Sequence, residues 1–337
     1  MNSNQTTSPM AHHRRAARTS LSILLPALAL APALTGAQGF WSEDTPKIPM
    51  AASWQVEKAG LPPYEAPRTP HGTPDLQGVW GGAGGDGLSY VEEHDYVDVT
   101  TPAQESFISD PPDGKVPYTE WGQAKRDELL AGLARGWPGE TGERLYSAPS
   151  AYCLENMPAH SIEGVEIVQQ PGVVYMFNDI GFRVIPIDDR PAMKDDVKLW
   201  FGISRGRWEG DTLVVEVTNL NGLGWFDSTG LYFTENTVMT ERWTRVHEDT
   251  IDYELTITDP TVYTQPWKMN FPMRRPGTGP NMREGRLPTA VAIDAPAYED
   301  PYADEIWELA CFEGNIGGPA ALRELGYQWF RGVHPPQ

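Results

Sequence analysis

From Ile162 onward the chain adopts a period of two, and this constrains its fold more than any other feature. Val173, Tyr175 and Phe177 alternate with Val174, Met176 and Asn178, and a turn at Asp179-Ile180-Gly181 leads into Phe182 to Ile187. Alternation around a short turn is the pattern of a β-hairpin, because successive side chains of a strand point to opposite faces. A second pair runs from Leu199 to Trp208, turns at Glu209-Gly210-Asp211 and returns through Thr212 to Asn219. A third runs from Val238 to Val246, turns at His247-Glu248-Asp249 and returns through Ile251 to Thr258. Further strands are expected at Trp267 to Met273 and Ile306 to Phe312, with a short helix from Pro319 to Trp329. No helical crossovers separate the hairpins, which argues against a parallel sheet. About eight antiparallel strands close most economically as an up-and-down barrel or a strongly curved sheet, since closure removes exposed edges. A sandwich shares the same period and stays open as an alternative.

Upstream of the hairpins the pattern is less regular. Residues 38–73 are rich in proline and small side chains and read as an extended N-terminal segment. Ordered structure is expected to begin at Pro74-Asp75-Leu76-Gln77-Gly78-Val79-Trp80, where a turn-forming pair precedes a short apolar strand. Residues 74–337 then form a single mainly β domain. Within it, residues 81–150 are a glycine-, proline- and acid-rich excursion holding one helix, Thr119 to Arg135, with Thr119 as N-cap and Gly136 as the stop. Trp121, Ala124, Leu129, Leu130 and Leu133 approximate its apolar stripe.

The amino terminus has the order of an export signal. Arg14, Arg15 and Arg18 precede an apolar run from Leu21 to Ala33, and small residues lead to Thr35-Gly36-Ala37. The run is shorter than the ~20 residues a bilayer-spanning helix needs, and Pro26 and Pro32 interrupt it. Residues 1–37 are therefore read as a signal peptide cleaved after Ala37, and the protein as periplasmic or secreted, by the general or the twin-arginine route. The net charge of −20 opposes binding to nucleic acid or to anionic lipid. No second long apolar run suggests an integral membrane segment. Cys153 and Cys311 are the two cysteines, and in an oxidising compartment a disulfide between them is the default, with two buried thiols as the alternative.

Several stretches resemble one pattern: Arg68-Thr-Pro-His-Gly-Thr-Pro-Asp-Leu-Gln-Gly-Val-Trp80, Ser204-Arg-Gly-Arg-Trp-Glu-Gly-Asp-Thr-Leu-Val-Val-Glu-Val-Thr-Asn219, Thr240-Glu-Arg-Trp-Thr-Arg-Val246, Asp259-Pro-Thr261 with Pro266-Trp267, and Cys311-Phe-Glu-Gly-Asn315. Together they resemble a large, mostly uncharacterised family of exported bacterial proteins. The resemblance spans residues 68–317 and implies one compact lipocalin- or calycin-like β domain, with no established reaction. It departs from the family pattern at Phe312, where a histidine usually follows the cysteine.

Candidate chemistry is carried by the strands. Gly202-Ile-Ser-Arg-Gly206 matches a nucleophile motif, but a serine nucleophile of that kind needs a strand, a sharp turn and a helix, and here a second strand follows. His71, His94, His160, His247 and His334 show no ligand spacing, so neither a metal site nor a cofactor is indicated. Met239, Glu241, Trp243 and Arg245 share one strand face, and Arg183 lies with Ile185 and Ile187. Aromatics interspersed with ionic groups would line a partly polar barrel cavity, with Trp80, Tyr175, Trp208, Trp243, Tyr253 and Trp267 as the ligand-binding candidates. In the alternative, the twelve tryptophans fill the core and the charges pair with one another. Glu241 and Glu313 are the candidate acid and base, with Arg183 or Arg207 to stabilise developing negative charge. The leading expectation is a carrier of a small, largely apolar or aromatic molecule. A lyase, isomerase or hydrolase using the same cavity is the rival, and a structural protein with a filled core is the third class. Nothing in the sequence sets the oligomeric state.

Overall fold

The computed structural model describes residues 43–44, 46–81, 90–97, 102–132, 146–147, 164–178, 181–191, 193–194, 196–225, 231–275, 328–329 and 332–333. All belong to one compact unit, Gly39–Gln337; the unit Met1–Gln38, with the expected export signal, lies outside them. In chain order the elements are α1 (Ala51–Gly60), β1 (Gly78–Gly81), β2 (Ile108–Asp110), α2 (Glu120–Gly132), β3 (Tyr146–Ser147), β4 (Gly164–Gln170), β5 (Val173–Asn178), β6 (Gly181–Pro186), β7 (Ile203–Glu209), β8 (Thr212–Thr218), β9 (Val238–His247), β10 (Thr250–Thr258), β11 (Trp267–Arg274) and β12 (Gln328–Trp329).

Ten strands form one antiparallel sheet in the order β6-β5-β4-β1-β11-β10-β9-β8-β7, with β2 added beside β11. β11 pairs with β1 through Arg274 and Gly81, and β1 pairs with β4, so the first and last strands of the meander are joined. The result is a nearly closed barrel. Among the described residues the strand path breaks between β6 and β7, which pack together without being hydrogen-bonded neighbours. A sandwich is thereby replaced by one continuous curved sheet. β3 and β12 form a separate parallel pair.

The period-two pattern directs one residue set inward. Leu213, Val215 and Val217 of β8 stand beside Trp243, Glu241 and Met239 of β9, which in turn face Tyr253, Leu255 and Ile257 of β10. All nine are buried. Aromatic packing continues across the strands: the Trp243 and Tyr253 rings lie 4.5 Å apart, Tyr253 and Phe271 5.1 Å, and Phe271 meets Phe107 edge-on at 5.2 Å. Complete burial of each such side chain contributes ~1.5–3 kcal/mol. Trp80 plugs the region of β1, donating from Nε1 to the Leu76 carbonyl at 2.7 Å. Above its ring, at 3.8 Å, sits the Arg275 guanidinium, which also donates to the Gln77 and Val79 carbonyls. Gly78 permits this approach: its φ is +105°, and a Cβ there would fall 2.0 Å from Arg275 Nη1.

Three expectations need correction. Residues 38–73 are not simply extended, because α1 lies within them and buries Ala51 and Trp54. No side chain of its own caps α1; instead Glu105 accepts from the Met50 and Ser53 amides and from the Ser53 hydroxyl. Outward-facing Asp252 and Asn270 then hold the helix through Trp54, Lys58 and Gln55. The second hairpin's first strand begins at Ile203, not Leu199, since Gly202 takes a φ of +61° and Leu199 forms only an isolated bridge to Leu220. Gln328 and Trp329 are strand, not helix, while 319–327 lie outside the described residues, as do the strand expected at Ile306–Phe312 and both cysteines, Cys153 and Cys311. Helix α2 matches its expected start: Thr119 Oγ1 accepts from the Gly122 amide at 3.0 Å. Residues of the 81–150 excursion contribute β2 to the sheet and Phe107, Ile108, Val116 and Leu129 to the core.

Candidate functional site

The break in the barrel is where space remains. A cleft of about 480 Å³ opens along β6, the connection that leaves it and β7. Phe182, Val184 and Pro186 line it from β6, and Ile203 and Arg205 from β7. Pro191, Met193, Leu199, Trp200 and Phe201 come from the connection. Arg183 and Ser204, which belong to the buried face of the same strands, also touch it, so the cleft runs into the gap between them.

The walls are tied down by backbone-directed hydrogen bonds. Arg205 Nη2 donates to the carbonyls of Asp188 and Arg190 at 2.9 and 2.8 Å. Asp188 in turn takes Arg190 Nε and Nη2 at 2.7 and 2.6 Å. These bonds, the Arg190 side chain first, hold the Asp188 carboxyl down at about 2. At the far end Asn219, in the left-handed region at φ 57°, donates from Nδ2 to the Lys194 and Val197 carbonyls. Gly206 allows β7 to close on β6, since a Cβ there would meet the Cγ2 atoms of Ile187 and Ile185 at 2.7 and 2.9 Å.

Behind the cleft lies a buried polar cluster. Arg183 donates from Nη1 to Glu241 Oε1 at 3.0 Å and from Nη2 to Glu241 Oε2 at 2.5 Å. Its Nη2 also reaches Ser204 Oγ at 3.0 Å, and Tyr253 donates its hydroxyl to Glu241 Oε1 at 3.0 Å. Burial works against the guanidinium charge, but the adjacent carboxylate outweighs it and the Arg183 pKa rises. Burial, reinforced by the same carboxylate, pushes the Tyr253 phenol well above its ordinary value. Glu241 thus holds three donors, and it is not among the cleft-lining residues. Such a clasp fixes strands relative to one another and leaves the Glu241 carboxylate fully engaged by Arg183 and Tyr253.

The structure therefore brings together Arg183, Glu241 and Tyr253, but not in a hollow. Trp80, Trp243, Tyr253 and Trp267 retain none of their surface and sit inside a packed core, where an aromatic-lined cavity was expected. Trp208 is half-buried and packs against that core. Tyr175 is on the opposite face, paired with Val184 and stacked near Phe177, both exposed. Glu313 lies outside the described residues. Ser204 sits within β7, without the helix a nucleophile turn requires. Arg207 pairs with Glu209 on the exposed face, so of the ten candidate catalytic and ligand-binding residues Arg183 alone is among those lining the cleft.

The residues overlooked were Phe182, Arg190, Met193, Leu199, Trp200, Phe201 and Arg205. A signal for them was present: the hairpins β7–β8 and β9–β10 turn in two residues, whereas Ile187 to Gly202 is a long connection carrying Trp200 and Phe201. No family model matches the chain, and neither the curated proteins nor the solved structures contain a significant match.

Proposed function

We propose that this protein is an exported carrier of a small, largely apolar or aromatic molecule, bound in the β6–β7 cleft and not in the barrel interior. The observation that carries this reading is the cleft itself. Its volume of about 480 Å³ suits a small organic ligand, its lining is largely apolar, and its walls are pinned at both ends. Export is supported by the basic and then apolar order of residues 14–37. Carboxylate acid–base catalysis is the weaker reading because Glu241 is locked by Arg183 and Tyr253.

The test uses N-phenyl-1-naphthylamine, a neutral aromatic fluorophore, titrated into the native protein and into Leu199→Glu and Met193→Glu. Both side chains are exposed, at 40% and 55%, so the changes spare the core while placing a charge in the cleft. Saturable binding that weakens in both variants is the expected outcome. Binding unchanged in both would reject the cleft as the site.

A further inference from the structure

We infer that the ligand of the β6–β7 cleft is an organic anion, an apolar or aromatic body carrying a carboxylate or sulfonate, and that Arg205 recognises its charge. This rests on the cleft reading above. In a chain with a net charge of −20, the cleft is lined by Arg183, Arg190 and Arg205 and, among the described residues, by no aspartate or glutamate. Positive charge held between apolar walls acts on an anion more strongly than the same charge on an open surface.

The three arginines are not equivalent. Arg183 is neutralised by Glu241 and Arg190 by Asp188. Arg205 has no carboxylate within 4 Å among the described residues, although Glu216 stands directly opposite it in the β7–β8 register. Its guanidinium turns instead to the connection, where Nη2 donates to two carbonyls. Nε and Nη1 donate to nothing among the described residues. Two functions are combined: one nitrogen orients the group on a rigid strand, and the others remain available. An arginine held in this way gives up little conformational freedom when it meets an anion.

Two probes with the same anilinonaphthalene frame separate the charge from the apolar body: 1-anilinonaphthalene-8-sulfonate and neutral N-phenyl-1-naphthylamine. The native protein should bind the sulfonate roughly tenfold or more tightly than the neutral probe. That preference should shrink as salt is raised, fall in Arg205→Gln, and be partly kept in Arg205→Lys. Equal affinities in the native protein, or a preference that survives Arg205→Gln, would overturn the assignment and leave Arg205 as a staple for the connection alone. If neither probe binds, the cleft reading itself falls, and this inference with it.

Discussion

Arg183 of β6 and Glu241 of β9 meet in a two-pronged ion pair, at 3.0 and 2.5 Å, with side chains only 2% and 1% exposed. The pair links β6 to β9, and so joins the two sides of the break between β6 and β7.

Removing one partner leaves the other charged and buried. Glu241→Gln and Arg183→Met should therefore each lower unfolding stability by ~3–5 kcal/mol, measured by urea denaturation. The double change Arg183→Met with Glu241→Leu should lose less than the two single changes summed. Full additivity would mean that the two side chains do not act as a pair.

Gly206 sets how closely β7 approaches β6. Gly206→Ala should destabilise by ~1–3 kcal/mol, because the stiff Cγ2 methyls of Ile185 and Ile187 already occupy the space. Calorimetry gives the answer directly, and an unaltered melting temperature would show that the two strands part without cost.

Trp80 is held by the Arg275 guanidinium through stacking and through two carbonyl contacts. Lysine can supply the charge but not the planar fork, so Arg275→Lys should cost roughly 1–3 kcal/mol. Gly78→Ala should be at least as damaging, as its side chain would displace the guanidinium from a left-handed backbone position. Near-ultraviolet circular dichroism of the tryptophans offers a second readout; spectra identical to native in both variants would refute the assignment.

Asp188 titrates at about 2 in the folded protein, held down chiefly by the Arg190 hydrogen bond. An unperturbed aspartate titrates near ~3.9. A depressed acid favours the folded state fully above the unfolded value, and that contribution is lost as pH falls through the folded one. The Asp188–Arg190 bond should therefore persist into mild acid and release as the pH approaches 2. A carbon-13 carboxyl titration checks this, and a midpoint near the ordinary value would show that Arg190 does not grip the group.

The strands and the inward face were legible because alternation is a local signal. Met239, Glu241, Trp243 and Arg245 share the buried face, as their spacing requires, and the turns of β7–β8 and β9–β10 follow from their glycine and acidic residues. Helix α1 was not legible. Only Ala51 and Trp54 are buried on it, and its cap is Glu105, far away along the chain. That the expected aromatic-lined hollow is a filled core was not legible for a related reason. Periodicity tells which side chains turn inward but not whether they fill the interior, and that depends on long-range packing such as Phe107 against Phe271. Tyr175 was assigned to the hollow although it alternates with the buried set Val174, Met176 and Asn178.

A sealed β-cylinder has a circumference set by its backbone, and widening it means breaking rungs. Here the ring is split at β6 and β7, and what spans the split is side-chain contact: Arg183 with Glu241 and Ser204, and Arg205 with the carbonyls of Asp188 and Arg190. The circumference at that seam is therefore a property of a few side chains, and substitutions there would act on it while leaving every rung of the ladder in place.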